Sequence, residues 1–226
     1  MAVLYQRLQR QGVEVEMLTN DFRAANTVRD YGVPTCTTIE TVWDIDFVAR
    51  KGDSLIMDTP EDDGGKLEVY MELFSEVRRA ANHCEDSSRA GEEVFFADGM
   101  IDTYYTSVKH EEKVERTIFF YGDSDPKKWL KAHLEMFADS HIELLLGEYF
   151  YLGYEAELSS CFSLLHESDD YKEVIAHSSH VITCAQQTAY EARAAGAEVG
   201  YLCDAVELCD REKLEEAGIK ILDKQI

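Results

Sequence analysis

The stretch Arg116–Met136, RTIFFYGDSDPKKWLKAHLEM, sets the fold class of this chain. An apolar, β-prone run, Thr117–Tyr121, ends at Gly122, and a turn of small residues, Gly122-Asp123-Ser124-Asp125-Pro126, follows it. The turn opens a helix in which Trp129, Leu130, His133, Leu134 and Phe137 fall on one face. Asp125 suits the N-cap, and Pro126 suits the first helical position, where its missing N–H has no partner to lose. Strand, tight turn and capped helix make the first step of a mononucleotide-binding sheet, and backbone N–H groups at such a helix start can hold a phosphate. The competing reading is an ordinary strand-to-helix turn without a ligand, because one glycine and two acids cradle an anion less well than a glycine-rich loop.

Downstream the same alternation continues. Strands are predicted at 117–121, 142–146, 162–166, 180–184, 198–202 and 219–222, with helices over 126–138, 154–160, 169–178, 187–195 and 210–217. Strands alternating with helices of this length imply a parallel sheet covered on both faces. Upstream the rhythm is weaker. Helices are expected over 2–11, from a cap at Asn20 or Asp21 to Tyr31, over 39–49 and over 66–81. Strands are expected at 13–18, 33–37, 54–58 and 94–97, with a further one at 102–106. The charged segment His110–Glu115 reads as a linker. The expected architecture is therefore α/β, with two Rossmann-like domains, 1–112 and 113–226, each built on a parallel sheet. The chain opens on a helix, without the strand and loop that normally begin such a domain. Either the first unit is modified, or the chain lacks its original N-terminal segment.

Composition narrows the partners. A net charge of −23 over 226 residues repels nucleic acid and anionic membranes, so any phosphate must be held by local donors. The same excess of carboxylates is compatible with a high-salt cytoplasm, where screening removes self-repulsion. No run approaches the about 18 apolar residues of a membrane span, and residues 1–12 lack a signal-peptide core, so a cytoplasmic location is expected. The six cysteines contain no C-x-x-C pair and read as reduced. No metal or cofactor is expected.

With these residues in view, a resemblance emerges. Phe120-Tyr121-Gly122-Asp123-Ser124-Asp125-Pro126 resembles the F-G-G-S-D-P turn that opens the second domain of the UDP-sugar hydrolase of pseudaminic-acid biosynthesis and its spore-coat polysaccharide relatives. His180–Glu191, HVITCAQQTAYE, resembles the strand, phosphate turn and S-T-x-W-E helix of that family, and Ala194-Ala195-Gly196 its L-G-x-P. In the first half, LYQRLQRQGVEVEMLTND and SLIMD are similar to its A-x-x-L-x-x-x-G-H-x-V-x-F-L and D-x-L-I-x-D segments. The resemblance implies a fold like that of GT-B glycosyltransferases, with a nucleotide-sugar, UDP-linked in the family, held by the second domain. It places diphosphate oxygens near Gly122 and Ser124 and near the helix start at Gln187 and Thr188, and ribose hydroxyls on Glu191.

The departures are specific. The family's catalytic histidine precedes its first helix, and no residue here inherits that role. Asp123 replaces a glycine and adds negative charge, and Gln186 and Gln187 stand where the family has small residues. Thr59-Pro60 replace the aromatic residue after the SLIMD strand. Among the seven histidines, His166 at a strand end is the least implausible substitute general base. His133 reads as a core or boundary residue, and His177 and His180 as contacts at a helix end. Glu61-Asp62-Asp63 reads as a solvated turn and Tyr149-Phe150-Tyr151 with Tyr154 as packing, with a cation site and a sugar site as their respective alternatives. Two functions follow: a nucleotide-sugar-binding protein related to hydrolases and glycosyltransferases, or a non-catalytic binding or scaffold protein that keeps the fold.

Overall fold

The computed structural model describes residues 1–59, 64–81, 86–96, 100–125, 127–138, 140–148, 155–202 and 208–222. They form two compact units, Met1–Met100 and Ile101–Ile226. All strand pairs among them are parallel, in one two-stranded, one three-stranded and one six-stranded sheet.

The first unit runs α1 (Ala2–Arg10), β1 (Leu18–Thr19), α2 (Phe22–Asp30), β2 (Thr37–Thr38), α3 (Ile45–Val48), β3 (Ser54–Met57), α4 (Lys66–Leu73), β4 (Glu76–Ala81) and β5 (Glu93–Phe96). Asp21 caps α2 by accepting from Arg23 N at 2.6 Å. Thr41 and Asp44 form a reciprocal capping box before α3. The predicted helix over 66–81 is two elements: it ends at Leu73, and EVRRAA continues as β4. Those residues have good helix propensity, and their charges mimic a solvated helix face. The fold overrides this because Arg79 is buried against Glu92, Nε to Oε1 at 3.1 Å, so a cation can occupy an inward strand position. Glu92 also accepts from Arg89 N, Ala90 N and Ser88 Oγ, which fixes the turn into β5. Burial opposes its ionisation, but these donors overcome it and bring its pKa down to about 2.

The second unit begins with α5 (Thr103–Ser107), where a strand was expected; Asp102 caps it by accepting from Tyr104 N at 2.8 Å. The division between units thus precedes the charged segment 110–115, whose last residues already lie in β6 (Val114–Phe120). There follow α6 (Trp129–Ala132), β7 (Glu143–Leu145), α7 (Glu155–Cys161), β8 (Leu165–His166), α8 (Tyr171–His177), β9 (Ser178–Thr183), α9 (Gln186–Ala195), β10 (Glu198–Leu202), α10 (Leu208–Glu216) and β11 (Lys220–Leu222). The sheet order is β11-β10-β9-β6-β7-β8.

Neighbouring residues of β6 serve opposite layers. Phe119 packs on Phe137 and Phe162, at centroid distances of 4.6 and 6.3 Å, in a cluster with Leu130 and Leu158. Phe120 meets Tyr171 of α8 edge-on at 5.2 Å. A sheet covered on both faces needs such a doubly apolar strand, and burying each phenylalanine contributes about 1.5–3 kcal/mol.

Candidate functional site

The strand order reverses at β6. From it the chain steps outward to β7 and β8, then crosses back to β9 on the other side and continues to β10 and β11. In an open doubly wound sheet the crevice for a ligand lies outside the carboxyl ends of the two strands at this switch point. Those ends are Phe120 and Thr183, which are register partners, and Cys184 N donates to Phe120 O at 3.1 Å. The turn after β6 and the amino end of α9 therefore leave the same edge side by side.

Gly122 has φ +148°, a conformation open to glycine and strained for other residues. Gly147, just beyond β7, packs on this turn: a Cβ there would stand 2.2 Å from Gly122 O and 2.6 Å from Asp123 Cα. Ser124 is exposed beside it. Asp123 is exposed as well, yet the protein around it, and then the Glu148 carboxylate, raise its pKa from the ordinary value.

The helix expected over 126–138 is broken up. Lys128 adopts a left-handed φ of +53°, α6 spans four residues, and a 3-10 turn, Leu134–Phe137, follows. Asp125 does act as a cap, but on later residues than expected: Oδ1 accepts from Trp129 N and Oδ2 from Leu130 N, both at 2.8 Å. The N–H groups of Trp129 and Leu130, at the amino end of α6, are thus held by the chain's own carboxylate. Pro126 lies outside the described residues.

Around α6 the structure assembles a group that the sequence reading divided up. Tyr121 stacks on Trp129 at 5.3 Å, and Trp129 on His133 at 4.2 Å, both with 19° between planes. His133 Nδ1 lies 2.8 Å from Trp129 O. All three rings are half-buried and adjoin the Gly122 turn. The spacing of Trp129 and His133, four apart, was the available signal; the part played by Tyr121 depends on the turn.

Beside this turn, α9 starts after Ala185, whose N–H donates to Thr183 Oγ1 at 3.0 Å; Ala185 itself gives no side-chain cap. Gln187 is exposed at the tip. Thr188 and Glu191, at 2% and 6% exposure, face inward. Tyr171 O–H donates to Glu191 Oε2 at 2.7 Å and lies 2.8 Å from Thr188 Oγ1, while Gln187 Nε2 donates to Glu191 Oε1 at 2.9 Å. The buried Tyr105 hydroxyl of α5 joins them. Burial raises the pKa of Glu191 against these stabilising hydrogen bonds. Glu191 is the residue expected to meet ribose hydroxyls. Its carboxylate is enclosed and engaged, and it ties α9 to α5 and α8 beneath the tip.

His166 is also relocated. It lies on β8, two strands or about 10 Å from β6, with Nε2 2.7 Å from Glu143 Oε2. It lines an open groove of about 470 Å³ with Arg116, Asp170, Glu173 and His177, away from the β6–β9 edge. Arg116 anchors that face by donating from Nε to Ser178 Oγ at 2.9 Å. His177 Nδ1 lies 3.1 Å from Glu173 O, a contact within its own helix end. The loop 61–63 and the aromatic residues 149–151 and 154 lie outside the described residues. Among the described residues no group of three or more His, Cys, Asp and Glu is placed to hold a metal ion, and no helix is long and apolar enough to cross a membrane. No protein-family model matches the chain, and the search of curated proteins finds no match.

Proposed function

We propose that the second unit binds a nucleoside-diphosphate sugar, UDP-linked in the first instance, across the carboxyl edge of β6 and β9. The observation that carries this reading is the reversal of strand order there, the position at which open doubly wound sheets take their ligands. Diphosphate oxygens would meet backbone N–H groups of Gly122 and Ser124 on one side and of Gln187 and Thr188 on the other. The amino end of a ten-residue helix adds its dipole on that side. The Tyr121–Trp129–His133 stack offers an aromatic face to a base or sugar ring. Glu191 supports the tip from below through Gln187 and Tyr171. Hydrolysis or transfer would require a general base, and Asp123, a carboxylate of the turn itself with Glu148 beside it, is the candidate.

A second reading, a binding or scaffold protein without this ligand, is favoured by Asp125, which already fills the amino end of α6, and by the negative charge of Asp123 and Glu148. Thermal melting with UDP-, CMP-, GDP- and TDP-linked sugars separates the two. A ligand at a hundred times its Kd stabilises the folded state by about 2.7 kcal/mol. A rise in Tm with one nucleotide class supports the proposal, and no rise with any of them supports the scaffold.

A further inference from the structure

Central strands of a covered parallel sheet are apolar on both faces, yet β6, β7 and β8 carry a charged row. Ile118 is the register partner of Glu143, and Leu145 that of His166. Strand alternation therefore sets Arg116, Glu143 and His166 on the same face as Phe120, the face that meets Tyr171 of α8. Arg116 and His166 line the open groove of about 470 Å³ together with Glu112, Asp170, Glu173 and His177, and Val114 and Val174 supply its apolar lining.

Hydrogen bonding in the groove wall consumes donors and leaves acceptors over. Arg116 donates from Nε to Ser178 Oγ at 2.9 Å and from Nη2 to Val174 O at 3.5 Å, and its Nη1 stands 3.9 Å from Glu143 Oε2. The His166 side chain is only 11% exposed, and its Nε2 lies 2.7 Å from Glu143 Oε2. A carboxylate can only accept, so Nε2 carries the hydrogen and the neutral ring presents a lone pair at Nδ1. That nitrogen has no hydrogen-bond partner among the described residues, and neither have the carboxylates of Glu112 and Asp170. Glu173 accepts from the Tyr104 hydroxyl on one oxygen, and its other oxygen lies 3.4 Å from His177 Nδ1.

The groove thus lacks donors and positive charge. Its guanidinium is engaged, its carboxylates are in excess, and the net charge of −23 concentrates cations around them. An ammonium group brings three donors, no acceptor and the missing charge. We propose that this groove binds an aliphatic polyamine. Its ammonium groups donate to Glu112, Asp170 and His166 Nδ1, and its methylene chain lies along Val114 and Val174. A metal ion suits the groove less well, because among the described residues no group of three or more His, Cys, Asp and Glu is placed to hold one. The site is separate from the β6–β9 edge and independent of the nucleotide-sugar reading.

Calorimetric titration of spermidine into the full chain tests this, at about 0.15 M salt with millimolar magnesium to occupy diffuse surface charge. Expected is one saturable site. Glu112→Gln combined with Asp170→Asn should weaken it by about tenfold or more, the loss of a charge-assisted hydrogen bond. Glu68→Gln combined with Glu72→Gln, an equal change of charge on the exposed side of α4, should leave it unaltered. Nitrogen NMR of the imidazoles in the unaltered chain gives a reading that needs no variant: saturation with spermidine should move the Nδ1 resonance of His166. Absence of saturable binding at millimolar spermidine overturns the proposal, as does equal weakening by the two double variants or a His166 Nδ1 resonance that stays in place.

Discussion

Replacing Gly147 by alanine tests how the candidate crevice is built. The added Cβ would meet Gly122 O at 2.2 Å and Asp123 C and Cα at 2.6 Å, all of them backbone atoms that cannot swing aside. Non-bonded carbon atoms sit comfortably at about 3.5–4.0 Å, so the turn or the 147 segment must shift by about 1 Å. Overpacking of this kind costs about 1–3 kcal/mol. For a unit of this size that lowers Tm by about 3–6 °C per kcal/mol. If backbone N–H groups of the turn hold a diphosphate, the same shift weakens a charge-assisted hydrogen bond worth about 1.5–3 kcal/mol, or roughly 10- to 100-fold in Kd. Thermal melts of Gly147→Ala with and without the UDP-linked sugar measure both effects. A variant that melts within about 1 °C of the parent refutes the close packing of residue 147 on the turn. A variant that is destabilised but binds as the parent does removes the turn from the ligand site.

Glu191→Ala should leave Tyr171 and Gln187 without their buried acceptor and cost about 1–3 kcal/mol, with Glu191→Gln recovering most of the loss; unaltered melting with loss of ligand response would instead make Glu191 a ligand group. Because the pKa of Glu191 is raised on folding, its contribution favours the folded state at low pH and is lost as pH rises above 4.5, a slope in urea unfolding that Glu191→Gln should remove. Glu92 has the opposite sign: its folded pKa of about 2 lies below the ordinary 4.5, so its stabilisation is complete above 4.5 and fades as pH falls toward 2. At about 1.4 kcal/mol per pH unit this amounts to about 3 kcal/mol, and Glu92→Gln should flatten unfolding of the first unit between pH 5 and 2. Asp125→Ala removes the cap of α6, costing about 0.5–2 kcal/mol, and by taking away a carboxylate beside the crevice should tighten binding of the diphosphate ligand; unchanged affinity would place the ligand elsewhere.

Local chemistry carried much of this fold. The apolar run ending at Gly122, the regular strand–helix alternation after it and the cap at Asp21 depend on neighbours within a few residues, so the α/β class and most second-unit elements were legible from spacing alone. Gly122, Ser124 and Gln187 were likewise found at a strand end and a helix start, where backbone geometry puts them whatever surrounds them. Partners distant in the chain settled the rest. EVRRAA became a strand because Glu92 neutralises Arg79, and α6 shrank to one turn around the Asp125 carboxylate. Glu191 lies enclosed because Tyr105 and Tyr171 reach it from two other helices. Strand order, and with it the placing of the Gly122 turn beside the tip of α9, comes from pairing between segments far apart in sequence. Such pairing leaves no local periodicity, because every central parallel strand carries the same apolar pattern whichever neighbours it joins.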